Sequence, residues 1–517
     1  MSKNNQTKTL ESWIWDAACS IRGAKDAPKY KDFILPLIFL KRLCDVYDDE
    51  INRIASNVGN RTKAFALVEK DRKLVRFYLP FKPANLESEE IWTVIRKLSN
   101  KIGEQLTTAL RDVARENPAL SGIIDRVDFN ATTHGQRDID DDRLSNLIER
   151  ISEKRLGLKD VEPDIIGRSY EYLIRKFAEN SGKSAGEFYT PKEVGVIMAR
   201  IMTPEPGMEV YDPTCGSAGL LISFQEELDR TTPRDKKTAP LKLFGQEYIS
   251  DTWAMAKMNM IVHDMDGDIE IGDTMKSPKF IEHGRIKQFD RVVANPMWNQ
   301  GRDELPYMTD EYFINDPYNR FQKSPGGNAD WAWIQHIYAS LKINGRSATV
   351  LDTGGASRGS GNANTNKEKD ARAYFIDNDL VEGVIYLPDN LFYNTSAPGI
   401  IVFLNKNKKY NGKIFLLNAA KEYIKGDPKN YISDDGIEKI ASTYSNFKEV
   451  DGFSKFITNE QAKENDYNIS PSRYIHVGGI EEYRPVGELV EELRTLETEA
   501  KEIDKELWKV LGKLGYE

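Results

Sequence analysis

The sequence predicts an α/β protein in which a mainly parallel sheet carries helices on both faces, preceded by a helical domain and followed by a helical tail. Between residues 185 and 425, short β-like runs alternate with helical patterns, which is typical of βαβ units. Residues 1–165 show mostly helical periodicity, and residues 479–517 carry a heptad repeat. The predicted domains are therefore 1–165 (helical), 166–425 (α/β), 426–478 (a connecting segment) and 479–517 (the tail).

The N-terminal domain, residues 1–165, is predicted from the spacing of its apolar residues. Between residues 9 and 56 they recur every three or four positions, as on the buried face of a helix. The same pattern appears around 88–115 and 143–178, whereas the short piece at 74–80 looks extended.

The α/β domain is predicted from short apolar runs that are too brief for helices. These runs lie at 208–211, 242–245, 269–271, 289–293, 347–351, 381–387 and 399–404. Helical patterns separate many of them, so a parallel sheet buried on both faces is expected. A polar, glycine-rich stretch at 353–370 is predicted to be a surface loop or a mobile loop over a substrate cleft.

The C-terminal tail, residues 479–517, is predicted to be one amphipathic helix. Its apolar residues repeat at alternating steps of four and three, as in a coiled-coil seam. The seam is formed by Leu489, Leu493, Leu496, Ala500, Ile503, Leu507, Val510 and Leu514. Such a helix packs either on its own chain or on a partner, and the sequence favours a partner.

Composition limits the classes of function. The 517 residues have a net charge of −9, so a nucleic-acid substrate would require locally concentrated basic groups or a partner. There is no run of ~18 apolar residues and no apolar segment at the start, so neither a membrane span nor a secretory signal is expected. The 3 cysteines fit a reducing cytosol and predict neither a disulfide framework nor a zinc site.

A small-residue turn after a predicted strand is the first candidate site. The stretch Asp212-Pro-Thr-Cys-Gly-Ser-Ala-Gly219 follows an apolar run and precedes a helix. Glycines there let the backbone approach a ligand closely. It matches neither G-x-G-x-x-G nor a Walker A motif, so phosphate is not the obvious ligand. A plain strand-to-helix turn is the other interpretation.

Carboxylates end the next two predicted strands. Glu247 follows the strand at 242–245, where a carboxylate can accept both hydroxyls of a ribose. Asp273 follows the strand at 269–271, where it can accept from an exocyclic amine. Taken alone, Glu247 is more typical of a solvated side chain, and Asp273 of an ordinary turn.

The fourth motif, Asn295-Pro296-Met297-Trp298, follows a buried strand. The Asn295 side chain and the rigidly held Pro296 carbonyl would present two acceptors to one amino group. Trp298 offers a flat face on which an extruded base can stack. An Asn-Pro turn beside a core tryptophan is the alternative. His336 and His263 are interpreted as structural histidines rather than bases.

These four motifs resemble those of class I S-adenosylmethionine-dependent methyltransferases of the amino type, which have a Rossmann-like core. The turn at 212–219 is similar to their cofactor motif, and residues 295–298 are similar to their catalytic Asn-Pro-Pro-aromatic motif. Met297 departs from this pattern at the third position. The contacts that the motif requires come from its first two residues, so methyl transfer is still expected.

The motif order resembles that of the adenine-N6 group, which includes the modification subunits of type I restriction–modification systems. Residues 186–192 (Gly-Glu-Phe-Tyr-Thr-Pro-Lys) precede the cofactor turn as the similar segment does in that family. The resemblance covers nearly the whole chain. Further matching segments lie at 10–13, 33–42, 330–336, 387–393 and 466–470.

This resemblance implies transfer of a methyl group from S-adenosylmethionine to the N6 amine of adenine in DNA. The implied catalytic residues are Asn295, Pro296 and Trp298. The implied cofactor-binding residues are Glu187, Phe188, Tyr189, Thr190, Pro191, Lys192, Asp212, Pro213, Thr214, Cys215, Gly216, Ser217, Gly219, Glu247 and Asp273. No metal is expected.

The resemblance also implies a cytoplasmic complex. Its expected members are DNA, a separate specificity (S) subunit, a second copy of the modification subunit and a restriction (R) subunit, with no membrane involvement. The tail at 479–517 is the candidate dock for the specificity subunit.

Other functions remain compatible with the same motifs. Cytosine N4, RNA bases and protein glutamine amides present a similar nitrogen to an Asn-Pro-x-aromatic site. Met297 and the tail also fit a non-catalytic assembly subunit. A nicotinamide-dependent dehydrogenase is disfavoured, because the glycine fingerprint is wrong and no proton donor is placed.

Overall fold

The computed structural model describes most of the chain. The described residues are 10–21, 31–125, 127–133, 135–161, 169, 190–232, 239–265, 267–301, 303–362, 366–392, 395–426, 429–476, 490, 493–496, 498, 500–501, 503–505 and 507. They belong to two compact units, Met1–Ile475 and His476–Glu517.

The N-terminal domain is helical, as its apolar spacing predicts. Its helices are α1 (Leu10–Ser20), α2 (Lys31–Val58), α3 (Arg61–Lys70), α4 (Thr93–Arg96), α5 (Ile102–Glu116) and α6 (Asp141–Ser152). Apolar side chains from all six helices form one buried core. The segment at 74–80 alternates as an extended chain does, with Val75, Phe77 and Leu79 buried, but no strand is assigned there among the described residues.

The α/β domain alternates strands and helices in chain order. Its elements begin with α7 (Lys192–Met202), β1 (Glu209–Asp212), α8 (Gly219–Thr231), β2 (Lys242–Glu247), α9 (Ser250–Val262), β3 (Gly267–Ile271) and β4 (Phe289–Ala294). They continue with α10 (Asp310–Ile314), α11 (Asp330–Ala339), β5 (Leu341–Asp352), α12 (Lys367–Asp377), β6 (Val381–Tyr386), β7 (Gly399–Asn405), β8 (Lys413–Asn418), α13 (Asp434–Ser445), β9 (Ser454–Thr458), α14 (Asn459–Glu464) and α15 (Pro471–Tyr474).

Within the described residues, the central sheet has nine strands in the order β9-β8-β6-β7-β5-β4-β1-β2-β3. Strands β7 and β9 run antiparallel to their neighbours, and the other adjacent pairs are parallel. The predicted mainly parallel α/β architecture is therefore confirmed. The carboxyl ends of β1, β2, β3, β4, β5, β6 and β8 all lie at one edge of the sheet.

Both faces of the sheet are covered, because successive side chains of a strand point to opposite faces. Val293 of β4 packs in a core with α7, α8 and α13. Its neighbour Val292 packs in a second core with α11 and α12. This two-sided burial explains why the strands appear in the sequence as continuous apolar runs.

The described residues between 426 and 475, within the predicted connecting segment 426–478, extend the central sheet and its helical cover. They contribute α13 and the edge strand β9, whose Ile457 pairs with Ile414 of β8. Strand β9 is short and partly polar, and its buried and exposed residues do not alternate regularly. Its formation therefore depends on its pairing with β8 rather than on a local pattern.

The glycine-rich stretch at 353–370 is more ordered than its composition suggests. A 3₁₀ turn covers Thr353–Ala356, and α12 begins at Lys367 with Asn366 as its N-cap. The hydroxyl of Ser360 donates to the carbonyl of Asp466 at 2.8 Å. The described parts of this stretch are thus held to the fold by specific contacts.

The described residues of the second unit between 490 and 507 are helical. Their apolar seam is uncovered within that unit: Leu493, Leu496, Ile503 and Leu507 are 51–65% exposed. Each helix within the described part of the chain is too short or too polar to span a bilayer.

Candidate active site

A cavity of about 590 Å³ opens at the carboxyl edge of the sheet. It lies where β1, β2, β3 and β4 end, so it collects the motifs that follow these strands. The residues lining it include Gly216, Ser217, Glu247, Asp273, Asn295 and Met297. The structure therefore brings the small-residue turn and the Asn-Pro motif to one site, because β1 and β4 are adjacent parallel strands.

The small-residue turn is tied to the end of β2. The backbone N–H of Cys215 donates to the carbonyl of Gln246 at 3.0 Å, and that of Gly216 donates to Glu247 Oε2 at 3.0 Å. Gly216 has φ +54°, and a Cβ built there meets no atom within 4 Å. The turn thus presents bare backbone to open space, as a close-fitting ligand requires.

Asp212 lies behind this turn. Its carboxylate is 1% exposed and accepts the backbone N–H of Thr214 at 2.9 Å. Burial raises the pKa of Asp212 to about 8, and the nearby Glu247 carboxylate adds to this shift. Pro213 and Thr214 form the adjacent cavity wall.

Glu247 joins the turn to the cavity. Its Oε1 accepts the N–H of Ile249 at 2.7 Å, while its Oε2 accepts the N–H of Gly216. Burial raises the pKa of Glu247. Each carboxylate oxygen keeps a further acceptor position, so hydroxyl groups of a ligand can still bind.

Asp273 has a partner that sequence reasoning missed. The hydroxyl of Tyr307 donates to Asp273 Oδ2 at 2.7 Å, and the N–H of Lys276 donates to Oδ1 at 3.1 Å. Tyr307 lines the cavity together with Leu305 and Pro306. No strand or glycine pattern precedes Tyr307, so the sequence gives no signal for it.

Helix α9 supplies another unpredicted wall. Thr252 and Met255 line the cavity, and the buried Thr252 hydroxyl has no hydrogen-bond partner among the residues that the structure describes. A buried hydroxyl without a partner is costly, and a polar ligand in the cavity would satisfy it. The apolar periodicity of α9 identifies a helix but not the side that faces a ligand.

Asn295 is held from both ends of its amide. Its Nδ2 donates to Thr190 Oγ1 at 3.0 Å, and its Oδ1 accepts the indole N–H of Trp298 at 3.1 Å. Since an indole nitrogen can only donate, the amide oxygen must face Trp298. Pro191 is buried next to Thr190, and Lys192 opens α7 as an exposed residue. The predicted residues Glu187, Phe188 and Tyr189 lie outside the described residues.

Trp298 is packed rather than open. It is 7% exposed and meets Phe392 edge-on, with ring centroids 4.8 Å apart. A Cβ at Gly399 would lie 3.0 Å from the indole, so Gly399 leaves room for this ring. A base that stacks on Trp298 would have to replace part of this packing.

A partly buried ionic network fixes the chain after Trp298. Asn299 has φ +57°, and its N–H donates to Asp330 Oδ1 at 3.1 Å. Arg358 donates to the Asn299 side chain and pairs with Asp330 and Glu368. Burial raises the pKa of Asp330 to about 6, although the Arg358 guanidinium opposes this shift.

The two histidines considered as bases do not line this cavity. His336 is fully buried, 3.4 Å from the Tyr211 hydroxyl and 3.3 Å from Arg320 Nη1. Burial lowers its pKa well below the usual range, and the Arg320 charge lowers it further. This supports the structural interpretation of His336. Within the described residues, no cluster of His, Cys, Asp or Glu could hold a metal ion.

Two family models match the chain. The model described as N-6 DNA Methylase matches residues 161–483, and the HsdM N-terminal domain model matches residues 10–151. The match to the N-6 DNA Methylase model extends past residue 425. It includes α13 and the edge strand β9 of the central sheet.

Curated relatives match over most of the chain. The type I restriction enzyme MjaVIII methylase subunit of Methanocaldococcus jannaschii is 33% identical, covering 91% of this chain and 79% of that protein. The HindI methylase subunit of Haemophilus influenzae is 31% identical, covering 80% and 93%.

A solved structure shows the same fold. The crystal structure of the type I restriction–modification methyltransferase subunit from Streptococcus thermophilus has a TM-score of 0.69 and 26% identity. It covers 90% of this chain and 99% of that one. With its catalytic and N-terminal domains both matched, the chain belongs to the family of type I restriction enzyme methylase subunits, the adenine-N6 DNA methyltransferases of restriction–modification systems.

Proposed function

We propose that the cavity at the carboxyl edge of the sheet binds S-adenosylmethionine, and that Asn295 and Pro296 hold the N6 amine of an extruded adenine beside it. One observation carries this proposal: the small-residue turn after β1 and Asn295 after β4 line the same cavity. When bound, S-adenosylmethionine supplies an electrophilic methyl group. The remaining steps depend on residues of this chain.

The residues of the cavity fit this cofactor. Glu247 would accept the ribose hydroxyls, and Asp273 with Tyr307 would face the adenine. The turn at 215–219, with Asp212 behind it and Thr190 opposite, would hold the amino-acid part. The open space above Gly216 and the unpartnered Thr252 hydroxyl support this assignment.

The Asn295 amide is oriented before the substrate arrives. Thr190 and Trp298 hold its two ends. A flip of the amide would place its NH₂ group against the indole N–H, which can only donate, so the orientation is fixed. The amide oxygen keeps a second acceptor position for one amine hydrogen, and the Pro296 carbonyl would accept the other. Together they would turn the nitrogen lone pair toward the methyl group. The placement of the amine beside the methyl group and the fixed dipoles around it would then accelerate methyl transfer.

The target adenine cannot react inside a duplex, so it must swing out at a cost of a few kcal/mol. Trp298 is the predicted stacking residue, and a base stacked on its ring in place of part of the present packing would offset some of that cost. The proton on nitrogen becomes acidic once the nitrogen is alkylated. The mechanism therefore requires no general base before transfer, and none is assigned.

Arg358 is expected to matter for turnover rather than for cofactor binding. Arg358→Gln removes the guanidinium that links the Asn299 side chain to Glu368 of α12. The Asn-Pro motif would then no longer be fixed to that helix. We expect kcat to fall about tenfold or more, with little change in the Kd of S-adenosylmethionine. Steady-state methylation and calorimetry measure the two. Arg473→Gln, an exposed arginine outside this network, is the matched control; equal kcat in both variants would contradict the role.

Cofactor binding is expected to release protons. Asp212 is protonated below its raised pKa of about 8, and a cationic ligand favours its ionised form. Affinity should therefore rise between about pH 6 and pH 8, and calorimetry in phosphate and Tris buffers should show net proton release. Asp212→Asn should reduce that release. Proton release that is absent in the unaltered protein would argue against a cation beside Asp212.

The partners are proposed from the family and from the tail. We propose a cytoplasmic complex with a specificity subunit, a second copy of this subunit and a restriction subunit. The net charge of −9 gives little general attraction to DNA. The specificity subunit would therefore recognise the DNA sequence and provide much of the binding affinity. The exposed seam of the tail would dock on that subunit.

The direct test follows a labelled methyl group. The chain, co-expressed with its specificity subunit, is incubated with labelled S-adenosylmethionine and DNA, and the DNA is digested to nucleosides. Label in N6-methyladenine is the expected result. Label in N4-methylcytosine, RNA or protein would assign the same site to a different substrate.

A further inference from the structure

An aromatic hairpin follows β8 on the same edge of the sheet as Asn295. Residues 421–431, here called the 421–431 hairpin, are closed by two backbone hydrogen bonds between Ile424 and Tyr431; residues 427 and 428 lie outside the described residues. Tyr423, Ile424 and Tyr431 are 41%, 45% and 44% exposed. Adjacent exposed aromatic and branched side chains favour contact with a ligand.

The hairpin lies on the target side of the catalytic motif. In the sheet, β1, β2 and β3 lie on one side of β4 and end around the cofactor cavity, whereas β6 and β8 lie on the other side. Strand β8 is parallel to β6, so the hairpin leaves the sheet at the edge where Asn295 lies. Because the cofactor would occupy the side of β1, β2 and β3, the target base would have to reach Asn295 from the side of β6 and β8.

A short segment, residues 389–392, links the hairpin to Trp298. The Asn430 backbone N–H donates to the Asn390 carbonyl at 3.0 Å, and its side chain donates to the Asp389 carbonyl at 3.1 Å. Two residues later, Phe392 packs edge-on against Trp298. The hairpin and the catalytic motif therefore both rest on the segment 389–392.

The charges of the hairpin suit a polyanion. Lys421 and Lys425 are exposed beside the tyrosines, and the one described carboxylate between them, Glu422, is neutralised by Lys439 at 2.6 Å. Lysines interleaved with aromatic rings are typical of surfaces that bind unstacked nucleic-acid strands, where phosphates meet the cations and bases stack on the rings.

We propose that the 421–431 hairpin contacts the DNA strand next to the extruded adenine. Tyr423 and Tyr431 pack against the bases or sugars beside the vacated position, and Lys421 and Lys425 contact the phosphates. The hairpin thereby stabilises the opened duplex from the side opposite the cofactor. This inference rests on the DNA methylation described above and adds to it a surface that recognises the substrate.

The test compares two hairpin variants with matched controls in the full complex with the specificity subunit. The DNA is a short duplex carrying the methylated sequence, identified by sequencing the DNA of the co-expressing host. Tyr423→Ala with Tyr431→Ala should raise the Kd for this duplex about tenfold. Lys421→Gln with Lys425→Gln should reduce the slope of log Kd against log salt by about 2.

The controls lie at the opposite edge of the same sheet. Ile343→Ala removes an 81% exposed apolar side chain at the start of β5. Lys409→Gln with Lys413→Gln makes the same charge change at the amino end of β8. Both controls should bind DNA as the unaltered complex does, and S-adenosylmethionine affinity should be unchanged in every variant.

The outcomes separate this inference from the proposed function. If the unaltered complex leaves no methylated adenine, the function itself fails. If it methylates DNA but both hairpin variants bind the duplex like their controls, the hairpin does not contact DNA. Loss of assembly with the specificity subunit at unchanged salt slope would make the hairpin a protein interface and would also overturn the proposal.

Discussion

Replacing Asn295 by alanine is expected to abolish methyl transfer to DNA while S-adenosylmethionine still binds. The substitution removes the side-chain acceptor that we propose for the amine, and loss of a fixed dipole of this kind costs about 10²–10³ in rate. The cavity walls formed by Glu247 and Asp273 remain. Labelled methyl transfer measures the first effect, and calorimetric titration measures the second.

Two further variants sharpen this experiment. Asn295→Asp keeps an acceptor for the Trp298 indole and another for the Thr190 hydroxyl, so we expect partial activity. Asn446→Ala, at the exposed end of α13, is the matched control and should be fully active. Removing the Asn295 amide also removes the acceptor of the Trp298 N–H, at a cost of about 1–3 kcal/mol, so thermal unfolding must be compared. Full activity of Asn295→Ala would refute the role.

A chain that ends at residue 480 is expected to lose assembly with the specificity subunit but to keep cofactor binding. The truncation removes the exposed seam that includes Leu493, Leu496, Ile503 and Leu507, while the compact unit that contains the cavity ends at Ile475. Size-exclusion chromatography of the co-expressed subunits measures assembly, and titration with S-adenosylmethionine measures the cavity.

Point variants separate the seam from the length of the tail. Serine at Leu493, Leu496, Ile503 and Leu507 should disrupt assembly as the truncation does, because a docked helix gains stability mainly from its apolar face. Alanine at Arg494 and Lys501, on the polar face of the same helix, should have little effect. Normal assembly of the serine variant would exclude the seam as the docking surface.

The elements that could be predicted are those whose signal is local. Strands β1, β2 and β4 are apolar runs that end in a turn or a polar residue, so the sequence identifies both the strand and the side chain at its carboxyl end. Because parallel strands align these ends, the positions of Glu247 and Asn295 along the chain are enough to predict that the two residues lie near one another.

The features that sequence reasoning missed depend on tertiary contacts. Strand β9 is short and partly polar, so only its pairing with β8 identifies it as a strand. Tyr307 reaches Asp273 across 34 positions of chain, a separation that no local pattern encodes. The glycine-rich stretch before α12 can be interpreted only from its composition, which does not reveal that Arg358 and Ser360 anchor it.

Helix α9 is shared between the two halves of the first unit. Met255 lines the cavity and also belongs to the core of the helical N-terminal domain, as does Val262. Arg76 of that domain donates to the Val262 carbonyl at 2.8 Å. The N-terminal domain thus braces one wall of the cavity, so removing this domain is expected to disturb the cavity as well.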